Sequence, residues 1–170
     1  MTKLLGFSLI LTAALVCSAQ RIRDWKARSA ALEAFCEMLS QLRGILEVQA
    51  PPMPELLDAL SRCSGGAAEC FVKQLCQAMD RLGAVSFQTL WLEALADTAK
   101  DVGEDARHAL ETLGSVLGRY DLDTQLSAVD TCLRVLRRQQ EQLREKAPQS
   151  GRLTLGIMLS AAALLGILLM

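Results

Sequence analysis

All 19 acidic residues of this chain lie between two uncharged apolar runs, Leu4–Ala19 and Leu153–Met170. Such a distribution divides the chain before any motif is considered. As helices the runs would span about 24 Å and about 27 Å, against a hydrocarbon core of roughly 30 Å. Lys3 and Arg21 bracket the first run, and long basic side chains that snorkel to the interface cover a shortfall of that size. A cleaved signal peptide is the rival reading, with Cys17-Ser18-Ala19 as small residues before the cut. It would leave a secreted helical protein held by a C-terminal membrane anchor. The flank decides for a retained signal anchor: Arg21, Arg23, Lys26 and Arg28 follow at once, against Asp24 alone. A basic cluster of this kind resists translocation. Arg144, Lys146 and Arg152 precede the second run, so the same rule holds the segment between the runs inside the cell. The expected division is therefore 1–20 as an N-terminal transmembrane helix, 21–150 as a cytoplasmic domain and 151–170 as a C-terminal transmembrane helix. In the last of these, Gly156, Ser160, Ala163 and Gly166 share a face that suits close helix packing or ordinary lipid exposure equally.

Between the runs the hydrophobic spacing is helical, with almost no alternation of period two. Leu32, Phe35, Leu39, Leu42 and Leu46 mark a first helix, continuing out of the membrane segment. Ala50-Pro51-Pro52-Met53-Pro54 must end it, because proline donates no hydrogen bond and restricts the residue before it. Pro54 suits the first position of the next helix, which carries Leu56, Leu57 and Leu60 and is expected to stop at Gly65-Gly66. A third helix carries Phe71, Val72, Leu75, Cys76, Met79 and Leu82, with Gly83 as its stop. Leu90, Trp91, Ala94 and Leu95 mark a fourth, and Ala106, Leu110, Leu113 and Leu117 a fifth. Asp121 is placed to cap the last and longest, whose stripe is Leu122, Leu126, Val129, Leu133, Leu136 and Leu143. Its other face, from Arg137 through Gln139 and Gln140 to Glu145, reads as solvated. Helices with single apolar stripes and short connections imply an all-α fold, an antiparallel bundle of about five to six helices between the two membrane helices.

The same residues exclude most chemistry. A net charge of -1 and few aromatic side chains argue against a nucleic-acid partner. His108 is the single histidine, and it sits in the polar stretch Glu104–His108 without a nucleophile at matching spacing. Asp121 with Asp123, and Glu104 with Asp105, stand at helix starts, where the helix dipole accounts for them. No phosphate-binding glycine loop or zinc-protease motif occurs. The six cysteines fit no zinc-ligand spacing, and most lie among apolar neighbours as small hydrophobes. No catalytic, cofactor-binding or metal-binding residue is assigned, and the chain reads as a non-enzyme.

Four local stretches, in order, carry a family resemblance. They are Ala50–Leu60 with Pro51; Trp91-Leu92-Glu93-Ala94-Leu95; Leu113-Gly114-Ser115-Val116-Leu117-Gly118-Arg119-Tyr120-Asp121 with Gln125; and Leu155-Gly156. Together they resemble the stage III sporulation protein AB family, whose proline turn, tryptophan helix, paired Leu-Gly motif and terminal Leu-Gly they match. Gly151-Arg152-Leu153-Thr154 departs from the family in lacking an aromatic residue before the last Leu-Gly. The resemblance implies a scaffold in a secretion-like complex between mother cell and forespore, similar to the platform protein of type II secretion and type IV pilus systems. Its implied partners are a cytoplasmic secretion-type ATPase and other membrane proteins of the complex, beside the lipid bilayer. The domain would then face the mother-cell cytoplasm from the cell membrane. A homo-oligomer is left open. The motif residues Pro51, Trp91, Leu113, Gly114, Leu117, Gly118, Asp121, Gln125 and Gly156 serve either packing or partner contact. Gly114 inside a helix costs roughly 1 kcal/mol against alanine, so close approach by a neighbouring helix would explain it.

Overall fold

Leu32, Phe35, Leu39, Leu42 and Leu46 recur three or four residues apart, and all five are buried along one stripe of α1 (Thr2–Val48). The computed structural model describes the backbone of residues 2–145 and the side chains of residues 19–145. Gly156 and the run Leu153–Met170 lie outside the described residues, as do the side chains of Leu4–Ser18. Among the described residues no helix is long and apolar enough to cross a membrane. The α1 backbone passes through position 20 without interruption, so the boundary expected there is one of composition.

Ala50 takes a left-handed φ of 40° just beyond α1, and Pro51-Pro52 keeps the chain from resuming the helix. Pro52 caps α2 (Met53–Cys63), and Pro54 stands second rather than first in it. Its missing N–H still costs nothing there, because the first turn has no intrahelical acceptor for it. Gly65-Gly66 does not end α2. That helix stops at Cys63, and the two glycines open α3 (Gly66–Ala78). Nor does Gly83 stop α3 directly: a 3-10 turn, Met79–Arg81, intervenes before Gly83 reverses the chain at φ 104°. Ser86 caps α4 (Phe87–Thr98) by accepting from the Thr89 N–H at 3.2 Å. Then come α5 (Glu104–Val116) and α6 (Leu122–Glu145). The described residues hold no strand, so the all-α expectation holds there.

The pairings that build the bundle are α1 with α6, α5 with α6, α3 with α4, α1 with α3 and α4 with α5, while α2 covers α3 and α1. Two side-chain bonds set α1 antiparallel to α6. Near one end the Trp25 indole N–H donates to the Leu143 carbonyl at 3.1 Å, and further along Arg43 Nε meets Asp130 Oδ1 at 2.8 Å. Phe35, Phe71 and Trp91 form the aromatic centre where α1, α3 and α4 meet. Their ring centroids lie 5.7 Å apart for the first pair and 4.8 Å for the second, the latter edge to face.

Gln139 corrects the solvated-face reading of α6. It is buried, and its Nε2 donates to Asp105 Oδ2 on α5 at 2.9 Å. It occupies the phase of Cys132, Leu136 and Leu143, three or four residues apart, and so faces α5 despite its charged neighbours.

Candidate functional site

Trp91 and Gly114 are joined in the interior. Both are buried, on α4 and α5, and the indole N–H donates to the Leu110 carbonyl at 2.8 Å. A Cβ on Gly114 would stand 2.5 Å from Trp91 Cγ and closer still to Cδ1. No carbon pair tolerates that approach, so glycine is required for the helices to meet this closely around a full-sized indole. Leu113 and Leu117 flank Gly114 and are themselves buried.

The chain leaves α5 through Gly118, whose φ of 72° suits a residue without a side chain. A Cβ there would also press on Met53 Cε at 2.9 Å, so the proline turn meets this turn through Met53. Gln125 clamps the loop with both ends of its amide. Its Oε1 accepts from the Gly118 N–H at 3.3 Å, and its Nε2 donates to the Tyr120 carbonyl at 2.7 Å. Asp121 caps α6 as expected, accepting from the Thr124 N–H at 3.1 Å and the Thr124 hydroxyl at 2.8 Å. These bonds hold the Asp121 carboxyl below its ordinary range, because they favour the charged form.

The structure therefore gathers Pro51, Leu117, Gly118, Asp121 and Gln125 at one end of the bundle, with Trp91, Leu113 and Gly114 reaching from there into the core. At the same end, where α1 finishes and α6 begins, Val48, Tyr120 and Leu122 are exposed large apolar side chains. This corner is a fixed turn carrying an apolar rim. Met53, the Leu110 carbonyl and the Trp25–Leu143 bond belong to the construction and were not singled out from sequence. Met53 alone had a signal, its place inside the proline motif.

The remaining candidates gather no chemistry. His108 projects into solvent, 3.8 Å from Glu111 Oε2. An open groove of roughly 1100 Å³ runs between α5 and the first half of α6, over Ala109, Leu113, Ala128, Cys132 and Val135. Burial pushes the Cys132 thiol up to about 12, so it stays protonated and is no nucleophile. Burial also raises the thiols of Cys36 and Cys76. Cys63 and Cys70 are exposed, while Cys36 and Cys76 are partly buried against the core, and the Cys17 side chain lies outside the described residues. No group of histidine, cysteine and carboxylate ligands among the described residues could hold a metal ion.

Comparison with known proteins adds the family. No curated protein sequence matches the chain. A solved structure of stage III sporulation protein AB shares the fold, with a TM-score of 0.61 at 15% identity over 72% of this chain and 97% of that one. The family model for stage III sporulation protein AB matches residues 3–170. Spanning nearly the whole sequence, that match means the chain belongs to the stage III sporulation protein AB family.

Proposed function

We propose that this chain is a non-enzymatic membrane scaffold of a sporulation-specific secretion-like complex between mother cell and forespore, coupling a cytoplasmic secretion-type ATPase to the membrane. Family membership supports the sporulation setting. The observation that carries the scaffold reading is the antiparallel pairing of α1 and α6, tied at Trp25 and Leu143. It brings Arg21, at the basic flank of the first apolar run, and Glu145, at the end of α6, to the same end of the bundle. The corner with Val48, Tyr120 and Leu122 then lies at the opposite end, about 40 Å away along α1. A rod anchored at one end and presenting a rigid apolar rim at the other suits a protein that holds a partner off the membrane. Continuity of α1 from Thr2 to Val48 also favours a retained anchor over cleavage, since a cut near Gln20 would fall inside one helix.

Co-purification of the ATPase with the full-length protein from sporulating cells tests the coupling. Capture by the native chain and its loss in V48D/Y120D, with membrane recovery unchanged, is the expected result. Absence of the ATPase from the native complex, or its retention by the variant, refutes the assignment of that end.

A further inference from the structure

The end of the bundle from which α1 and α6 emerge carries basic residues from both helices. The Trp25–Leu143 bond sets their register and brings together segments 118 residues apart in sequence. Arg21, Arg23 and Lys26 on α1, with Arg138 and Arg144 on α6, are all exposed. None is paired with a carboxylate among the described residues. Asp24, Glu141 and Glu145 share this end and reduce the excess without cancelling it. At 1.5 Å per residue and with Trp25 level with Leu143, Arg21, Arg23, Lys26 and Arg144 fall within about 8 Å of the level of Arg21, roughly one Debye length at physiological salt, and Arg138 lies about 14 Å from it. Ile22 is exposed between Arg21 and Arg23, and Trp25 is half-buried beside them. Apolar and aromatic side chains among basic ones match the chemistry of a bilayer headgroup layer.

We infer that this two-helix collar binds anionic lipid headgroups, selecting acidic phospholipid around the anchor. The inference rests on the membrane reading above and deepens it by naming the partner's charge. Each basic group near an anionic surface strengthens attraction by about fivefold, and the acidic neighbours offset part of that.

The test uses the full chain in vesicles of equal phosphatidylglycerol and phosphatidylcholine, released into mild detergent, with retained lipid counted by native mass spectrometry. The native chain should retain the anionic lipid about tenfold over the neutral one, falling to within about twofold in R21Q/R23Q/K26Q and in 1 M salt. R138Q/R144Q provides an independent variant on the other helix, and unchanged circular dichroism and thermal unfolding establish that each variant is folded. Equal retention of the two lipids by the native chain overturns the collar, as does an undiminished preference in both folded variants. A carbonate wash of the vesicles reads the anchor separately. Release of the chain refutes membrane insertion, while the lipid preference measured before the wash still decides the collar.

Discussion

Replacing Gly114 by alanine separates the packing of this fold from helix propensity. In an open helix the change stabilises by roughly 1 kcal/mol, because alanine loses less backbone entropy than glycine. At position 114 the new methyl must displace the Trp91 indole, a rigid plane with little room to retreat. Phe71 stands against it edge to face at 4.8 Å and Phe87 lies 5.8 Å away. Overpacking a core of this kind costs about 1–3 kcal/mol. Pulling the indole N–H off the Leu110 carbonyl strands a buried donor, at a further cost of about 1–3 kcal/mol. Subtracting the propensity gain leaves a net loss of about 3 kcal/mol, which lowers Tm by about 9 °C for a domain of this size. Thermal unfolding of the full chain in detergent, followed by circular dichroism, measures it. Gly44 supplies the internal control, since it is exposed within α1 and a Cβ there would meet nothing within 4 Å. Gly44→Ala should raise Tm by a few degrees. In a Trp91→Phe background the cost of Gly114→Ala should shrink by more than about 1 kcal/mol, the signature of two groups in contact. A Tm unchanged or raised by Gly114→Ala, or additive effects of the two substitutions, would refute the claim that Trp91 requires the glycine.

Three further outcomes are expected. Asp121 has a lowered folded pKa, so its stabilisation is complete above its ordinary value of 3.8 and is lost as pH falls below that through the folded value. Acid titration of Tm should therefore show a smaller drop at low pH for Asp121→Ala than for the native chain, from a lower starting Tm at neutral pH. Cys63 and Cys70 are exposed while Cys132 is buried with its thiol pushed up to about 12. Alkylation at pH 8 followed by peptide mapping should label the first two quickly and Cys132 only on unfolding. Arg43 and Asp130 each remain nearly half exposed to screening solvent, so Asp130→Asn should change stability by less than about 1 kcal/mol despite their 2.8 Å contact.

The helices were legible because each buries a stripe repeating at three and four residues, and burial is what turns such a stripe into a stable helix. The Asp121 cap was legible for a related reason, since a cap acts only on the turn that follows it. Gly114 could be read as a close-approach position, but nothing local named Trp91 as the group approaching. That contact joins α4 and α5, and it exists only once both have docked. Gln139 was misread because composition was weighed over phase. It sits among charged residues, yet it falls in step with Cys132, Leu136 and Leu143. The glycines at 65 and 66 were read as a stop, although the same backbone freedom serves a helix start equally well. Trp25 shows the limit of periodicity most plainly: its bond to Leu143 joins residues 118 apart in sequence, and it brings Arg21 and Glu145 to one end of the bundle.

The most direct test of the scaffold role is deletion in the source organism, scored by microscopy of sporulating cells and by spore counts. Development arrested after the forespore is engulfed, with vegetative growth unaffected, is the predicted result. Normal spore yield, or a defect in growing cells, would contradict it.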